Sequence, residues 1–427
     1  MARTAKLTID DRSVDLPLVR GADGEEAIDL SGLRRRSGLV AIDDGLRDTA
    51  LARSAITYVD GDRGLLRYRG IPIEELAARS SFVETSFLLI YGHLPGRGEL
   101  DAFQARLTAN AALHESFKYH FEGFPVDAPP MAMLSSMVST LACFYHRPKE
   151  GKADDFDEEA AWLLSKVRTI AAYSYRRSMG LPFLYTDPRL SYAGDFLHMM
   201  FSEPFKEYVA PEEMVHALDQ LLILHADHEM GGSTTTVRVV GSSRANLFAS
   251  CAAGISSLWG PVHGGATIAA VEMLEAIRRG EFTIDQAIAR VRERKDGFRL
   301  VGFGHTMYRS LDPRARILRQ IAERLAGKNP VADPLLPIAL ELEARAAADS
   351  YFVDHRLFPN ADLYNGIVMR AIGIPREMYS VFFAIGRMPG WIAHWKEQAA
   401  DPGLRIIRPR QLYVGPGETP YTPIEER

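Results

Sequence analysis

Gly302-Phe303-Gly304-His305-Thr306-Met307-Tyr308, followed by Asp312-Pro313-Arg314, sets a histidine behind two glycines and an arginine just past a proline. Glycine lets a backbone come close to a ligand and adopt angles that other residues avoid. Proline suits the first turn of a helix and aspartate the position before it, so Asp312-Pro313-Arg314 reads as a cap and a helix start. The stretch predicts a glycine loop presenting an imidazole beside a helix start presenting a guanidinium. Imidazole donates a proton or a hydrogen bond near neutral pH, and guanidinium grips a carboxylate through two parallel bonds. The plainer alternative is a loop histidine satisfied by its surroundings and a surface arginine.

Outward from that stretch the pattern is helical. Thr283 to Arg294 and Arg314 to Leu325 read as amphipathic helices, and Pro337 to Ala348 is built of good helix formers. Phe358-Pro359-Asn360-Ala361-Asp362-Leu363-Tyr364 is a second proline turn before a helix carrying an acid, in which Asn360 or Asp362 serves as a cap or as a functional group. Upstream, the small-residue helix around Phe248 to Ile255 ends before Trp259-Gly260-Pro261-Val262-His263-Gly264-Gly265, a second histidine beside glycines. Pro211-Glu212-Glu213 opens a helix with Met214, Leu218, Leu221, Leu222 and His225 on one face. It runs into Leu224-His225-Ala226-Asp227-His228-Glu229, where His225 and His228 share a face if the helix continues. Two imidazoles and two acids admit a metal site, although no further ligand follows at zinc-like spacing. The other reading is a histidine placed at a helix end to meet a ligand. Arg387 and Arg408 sit in proline-braced surroundings, where exposed salt bridging is the ordinary role.

The N-terminal region differs. Lys6 to Ile9 and Ser13 to Leu16 flank Asp10-Asp11, and Ile56 to Val59 and Leu65 to Tyr68 flank Asp60-Gly61-Asp62, two hairpin signals. From Pro72 onward helices take over, and the charged run Lys149 to Glu159 reads as an exposed link or a fraying helix start. At 427 residues the chain exceeds the size at which one core keeps growing, so two or more lobes are expected. A net charge of −5 and a pI near 6.2 give no electrostatic reason to expect nucleic acid. The clusters Arg34-Arg35-Arg36 and Arg292-Glu293-Arg294-Lys295 read as solvated faces, the second close enough to the glycine loop to meet a phosphate. Cys143 and Cys251 stand far apart without a CxxC pair, which fits a reducing compartment. With no apolar signal core near Met1 and no apolar run long enough to span a bilayer, the expectation is a cytoplasmic protein.

Taken together, the segments carrying His263, His305 with Arg314, and Asp362 occur in the order of the three active-site signatures of citrate synthase, which this chain resembles. The similarity extends through Leu224 to Glu229, Ile385-Gly386-Arg387, Gly390 to Trp395 and Arg408-Pro409-Arg410, and so covers nearly the whole chain. The resemblance implies a mainly α, two-lobed helical fold with a small N-terminal β-rich domain, of the longer bacterial kind that assembles as a hexamer of three dimers. Its implied divisions are an N-terminal domain at 1–55, a large helical domain at 56–262, a small one at 263–375, and a return segment with a C-terminal arm at 376–427. It implies an acyltransferase of the Si type that joins acetyl-CoA, as co-substrate, to oxaloacetate and water, giving citrate and CoA. No permanent cofactor, metal, nucleic acid or membrane is implied.

The same resemblance assigns Asp362 as base, His263 as donor to the thioester oxygen and His305 as donor to the oxaloacetate carbonyl. It assigns His228, Arg314, Arg387 and Arg408 to the carboxylates, with Arg408 supplied by the partner subunit. Arg299, Val301, Gly302 and Gly304 are the implied CoA contacts. A carboxylate of reference pKa about 3.9 is too weak to make a free enolate, so preorganised donors are needed. Hexameric relatives carry an NADH-binding allosteric site; Tyr145 and Lys166 match it, but Ala109-Asn110-Ala111, Trp162 and Phe205 replace its other residues. Weak or absent NADH inhibition is therefore expected. Rival readings are 2-methylcitrate synthase acting on propionyl-CoA, a metal-dependent hydrolase built on His225, Asp227, His228 and Glu229, and a non-catalytic helical scaffold. One methylene in a pocket is worth only about 1–3 kcal/mol, so the first rival shares every catalytic residue. The last sits poorly with a chain that retains His263, His305 and Asp362.

Overall fold

The computed structural model describes residues 3–145, 156–206, 208–294, 297–328 and 333–427. Among them are eighteen α-helices and two three-stranded antiparallel sheets, so the chain is mainly helical with a small strand-rich N-terminal region. The chain divides into two compact units, Met1–Arg53 with Ile406–Arg427, and Ser54–Arg405.

In the first unit, strands Thr4–Ile9, Arg12–Arg20 and Glu26–Ile28 pair in sequence order. Asp10 takes φ 51° in the tight turn that the paired aspartates predict. The second unit opens with strands Thr57–Asp60 and Leu65–Tyr68 on either side of Asp60-Gly61-Asp62, again as the alternation predicts. Helices follow from Ile73 onward. The expected link from Lys149 lies outside the described residues as far as 155. Beyond it, helix Phe156–Ser178 begins with Asp157, Glu158 and Glu159 in its first turn, where acids favour the positive helix end. No helix among the described residues is long and apolar enough to cross a membrane.

Two helices matter most for position. Glu212–His225 is buried along Leu218, Leu221, Leu222 and His225 and delivers the segment after it into the interior. Tyr379–Ala399 crosses it closely: a Cβ at Gly386 would lie 2.8 Å from the His225 Cβ, and one at Gly390 would lie 2.3 Å from the Ala226 carbonyl oxygen. Pro389 sits inside this helix. The freed Gly390 N–H donates across to the Ala226 carbonyl at 3.1 Å, so the crossing is pinned by backbone.

Candidate active site

The His305 loop and the start of the Asp362 helix are one structure. Gly304 N–H donates to the Phe358 carbonyl (2.8 Å), Asn360 N–H to the Gly302 carbonyl (2.9 Å), and the Asn360 amide to the Gly304 carbonyl (2.7 Å). Gly302, at φ 89°, lies so close to the helix that a Cβ would meet Leu363 at 2.9 Å. Asn360, not Asp362, is the cap of helix Ala361–Ile372, accepting from Asp362 N–H at 3.0 Å. The Asp362 carboxylate is thereby left for other work. Its Oδ1 accepts from the Thr267 hydroxyl at 2.6 Å. Burial raises its pKa, against the pull of Thr267 and Arg314.

His305 Nδ1 accepts from the Met307 and Tyr308 backbone N–H groups at 3.0 and 3.3 Å. Burial and the Arg314 guanidinium lower its pKa to about 4, so at neutral pH the ring is uncharged. With Nδ1 accepting, the proton of that neutral ring rests on Nε2. The loop behind it is buttressed by the hairpin turn, since Arg309 N–H and the Ser310 hydroxyl both donate to the Gly61 carbonyl at 2.9 Å.

His263 is oriented in the opposite sense. Its Nε2 accepts from Ser233 N–H at 3.2 Å and lies 2.9 Å from the Ser233 hydroxyl, which assigns the neutral ring's proton to Nδ1. Its pKa also falls to about 4, by burial and then by Arg387. Ser233 stands at the start of helix Gly232–Gly241, so this orientation comes from a second helix rather than from the histidine's own loop.

The cations lie between. Arg314, 6 % exposed, is held by Asp312 through Nε to Oδ1 (3.0 Å) and Nη2 to Oδ2 (2.8 Å). Asp312 also accepts Arg314 N–H and, at 3.2 Å, Ala361 N–H, so it joins two helix starts. Arg387, 2 % exposed, donates Nε–H to the His225 carbonyl at 2.7 Å and lies over the Phe383 ring. The ring of His228 lies 5.4 Å from that of His305, and its Nε2 is 3.1 Å from the Tyr308 hydroxyl. Burial, Arg314, His305 and Arg387 together hold His228 well below the usual imidazole pKa.

His225 and His228 do not share a helical face, because the helix ends at His225 and Glu229 takes the left-handed φ of 52°. His225 packs on Phe383 and stays neutral, its pKa lowered to about 3 mainly by burial. Asp227 faces the buried His394, and Glu229 accepts Val59 N–H at 2.7 Å. Each member of that run is committed to a different neighbour, and no metal-holding group of three is gathered among the described residues. Arg299 is exposed, while the Gly302 carbonyl and both backbone groups of Gly304 are taken by residues 358–360. Val301 is half-buried. Arg408 belongs to the first unit and is exposed there. Sequence reasoning passed over Ser233, Thr267 and Tyr308. Tyr308 sits three residues after His305 and was open to inspection; Ser233 and Thr267 meet their partners only across the fold.

The model of the family described as "Citrate synthase, C-terminal domain" matches residues 45–410. The citrate synthase 1 proteins of two Mycobacterium tuberculosis strains are each 46% identical over 426 residues, covering 99% of both chains. The citrate synthase of Thermoplasma acidophilum, solved as a ternary complex with carboxymethyl coenzyme A and oxaloacetate, superposes with a TM-score of 0.82. It is 32% identical and is covered in full by 91% of this chain. The Pyrobaculum aerophilum citrate synthase matches over 100% of both chains with a TM-score of 0.79 at 32% identity.

Proposed function

The chain belongs to the citrate synthase family, and from that premise we propose which of its side chains carry the condensation of acetyl-CoA with oxaloacetate. The enzyme is an acyltransferase that takes acetyl-CoA as co-substrate and releases citrate and CoA. Asp362 takes a proton from the thioester methyl group. The Nδ1–H of His263 donates to the thioester oxygen as charge develops there, so an enol-like species forms without a free enolate. Its carbon bonds to the keto carbon of oxaloacetate while the Nε2–H of His305 donates to the carbonyl oxygen. Water then cleaves the thioester of citryl-CoA, giving citrate and the free thiol.

The observation that supports these roles best is the opposed orientation of two neutral imidazoles. His305 spends Nδ1 on backbone N–H groups and keeps Nε2–H, whereas His263 spends Nε2 on Ser233 and keeps Nδ1–H. Uncharged donors suit this task, since they stabilise developing charge without giving up their protons beforehand. Arg314 and Arg387 lower the pKa of the histidines and supply the positive field that a dianionic substrate needs. His228 assists them, Arg408 completes the set from a partner subunit, and Arg299 with Val301 meets CoA, the Gly302 carbonyl and the Gly304 backbone being already bonded to residues 358–360. Closure of a small lobe, residues 263–375, on a large one excludes water from the intermediate.

The finer biology belongs to the same proposal: a dimer as the smallest active unit, assembly to a hexamer, and a cytoplasmic setting. NADH inhibition is weak or absent on this reading. Lys166 donates to the Asn110 and Ala112 carbonyls, Trp162 Nε1–H donates to Asn110 Oδ1 at 2.8 Å, and the Tyr145 hydroxyl accepts His114 N–H at 3.1 Å. Each of those groups already has a partner within the chain. The test is release of CoA thiol from oxaloacetate with acetyl-CoA or propionyl-CoA, with and without NADH, in wild type and Asp362→Ala. Acetyl-CoA is expected to be preferred, NADH to inhibit weakly or not at all, and the variant to lose turnover. Preference for propionyl-CoA moves the enzyme to 2-methylcitrate synthesis, and an active Asp362→Ala removes the assigned base.

A further inference from the structure

A carboxylate on a helix turns about its own side-chain bonds unless something holds it, and a base is effective only when one oxygen is kept on the line of the proton it removes. Asp362 is held from a different helix. Thr267 stands in the first turn of helix Ala266–Arg278, directly after the His263 loop, and is 7% exposed. Threonine in a first turn ordinarily turns its hydroxyl back to local backbone. Here the hydroxyl leaves its own helix and donates to Asp362 Oδ1 at 2.6 Å, a short, charge-assisted bond.

We infer that Thr267 is a positioning residue for the condensation: its hydroxyl fixes Asp362 Oδ1 so that Oδ2 is the oxygen presented to the acyl-CoA methyl group. The geometry around the pair leaves little freedom. The Asp362 backbone is tied to Asn360 at the cap, and the helix bearing Asp362 meets the helix bearing Thr267 so closely that a Cβ on Gly366 would lie 2.2 Å from Val271 Cγ2. Thr267 follows His263 by four residues, so the residue that holds the base lies in the first turn of the helix that the thioester donor's loop leads into. The other polar groups facing Asp362 are Asn365 on its own helix, and Arg314 and Asp312 from the neighbouring helix start. None of these contacts comes from the His263 side. The hydroxyl also opposes the burial that raises the carboxyl pKa, and so helps to keep the base ionised.

The inference rests on Asp362 being the base, and the experiment separates the two. Thr267→Val keeps the shape and removes the hydroxyl; Thr267→Ser keeps the hydroxyl and removes a methyl group. Steady-state rates over a pH range are measured for both, alongside Asp362→Asn and thermal unfolding. Thr267→Val is expected to lower kcat by about 10- to 100-fold, with KM for oxaloacetate within about twofold of wild type. The acid limb of its kcat profile moves to higher pH, and Thr267→Ser restores both. Wild-type kcat and an unmoved acid limb in Thr267→Val overturn the inference, as does equal damage in Thr267→Ser, which marks a packing role. If Thr267→Val does not fold, Thr267→Ala carries the same comparison. Turnover in Asp362→Asn overturns the assignment of the base; an inactive Asp362→Asn beside an unaffected Thr267→Val removes Thr267 alone.

Discussion

Asp312 accepts four hydrogen bonds from two helix starts while being 1% exposed. Its charge compensates the buried Arg314 guanidinium: burial pulls the guanidinium pKa down, and Asp312 more than reverses it. Asp312→Asn keeps the size but removes that charge and one acceptor. Breaking a buried pair from one side costs about 3–5 kcal/mol, because the remaining ion is left uncompensated. Urea unfolding is expected to show a loss of that order, with a KM for oxaloacetate raised by about tenfold in the folded fraction. A stability equal to wild type would show that Arg314 does not need its partner. From sequence, Asp312 was legible as a cap because capping depends only on neighbours along the chain. Its grip on Arg314 and on Ala361 N–H was not, since the second of these requires knowing where another helix begins.

Helices and turns were read where local chemistry announces them. Asp10-Asp11 and Asp60-Gly61-Asp62 mark hairpins through turn residues between alternating strands, and both pairs form. Thr283 caps a helix whose amphipathic spacing was already visible, and Asn360, one of two candidate caps, caps the helix after the proline turn. The helix at Pro211 was found at its start, and its end to within the run Leu224–Glu229; it stops at His225, and the left-handed turn at Glu229 beyond it is not announced by residue type. Crossings were the least legible of all. Gly366 reads as an unremarkable helix residue until Val271 is seen against it. Gly366→Ala is expected to push helices Ala266–Arg278 and Ala361–Ile372 apart, lowering stability by about 1–3 kcal/mol and moving Asp362 from Thr267. Val271→Ala in the same chain makes room for the new methyl group and is expected to restore kcat more than it restores the melting temperature. A double variant no more active than Gly366→Ala would place the fault elsewhere in the helix.

At the scale of the whole molecule the open arithmetic is charge. Oxaloacetate brings two carboxylates, while the site described above gathers two buried guanidiniums, Arg314 and Arg387, the first of which already has Nε and Nη2 on Asp312. Arg408 lies in the first unit, exposed in the single chain, on the segment that follows helix Tyr379–Ala399. If Arg408 takes the role proposed for it above, an exposed arginine reaches the substrate most simply from another copy of the chain, in an isologous pair where each subunit completes its partner's site. That arrangement has a consequence that a self-contained site lacks. Asp362→Ala and Arg408→Ala are each expected to be inactive as pure assemblies. Co-expressed, they form mixed dimers in which one site has both defects and the other has neither. Random pairing leaves about a quarter of all sites intact, so thiol release should recover to about that fraction of wild type. If Arg408 served its own subunit, every site in every mixed dimer would carry one defect or the other, and the co-expressed protein would be as inactive as its parents.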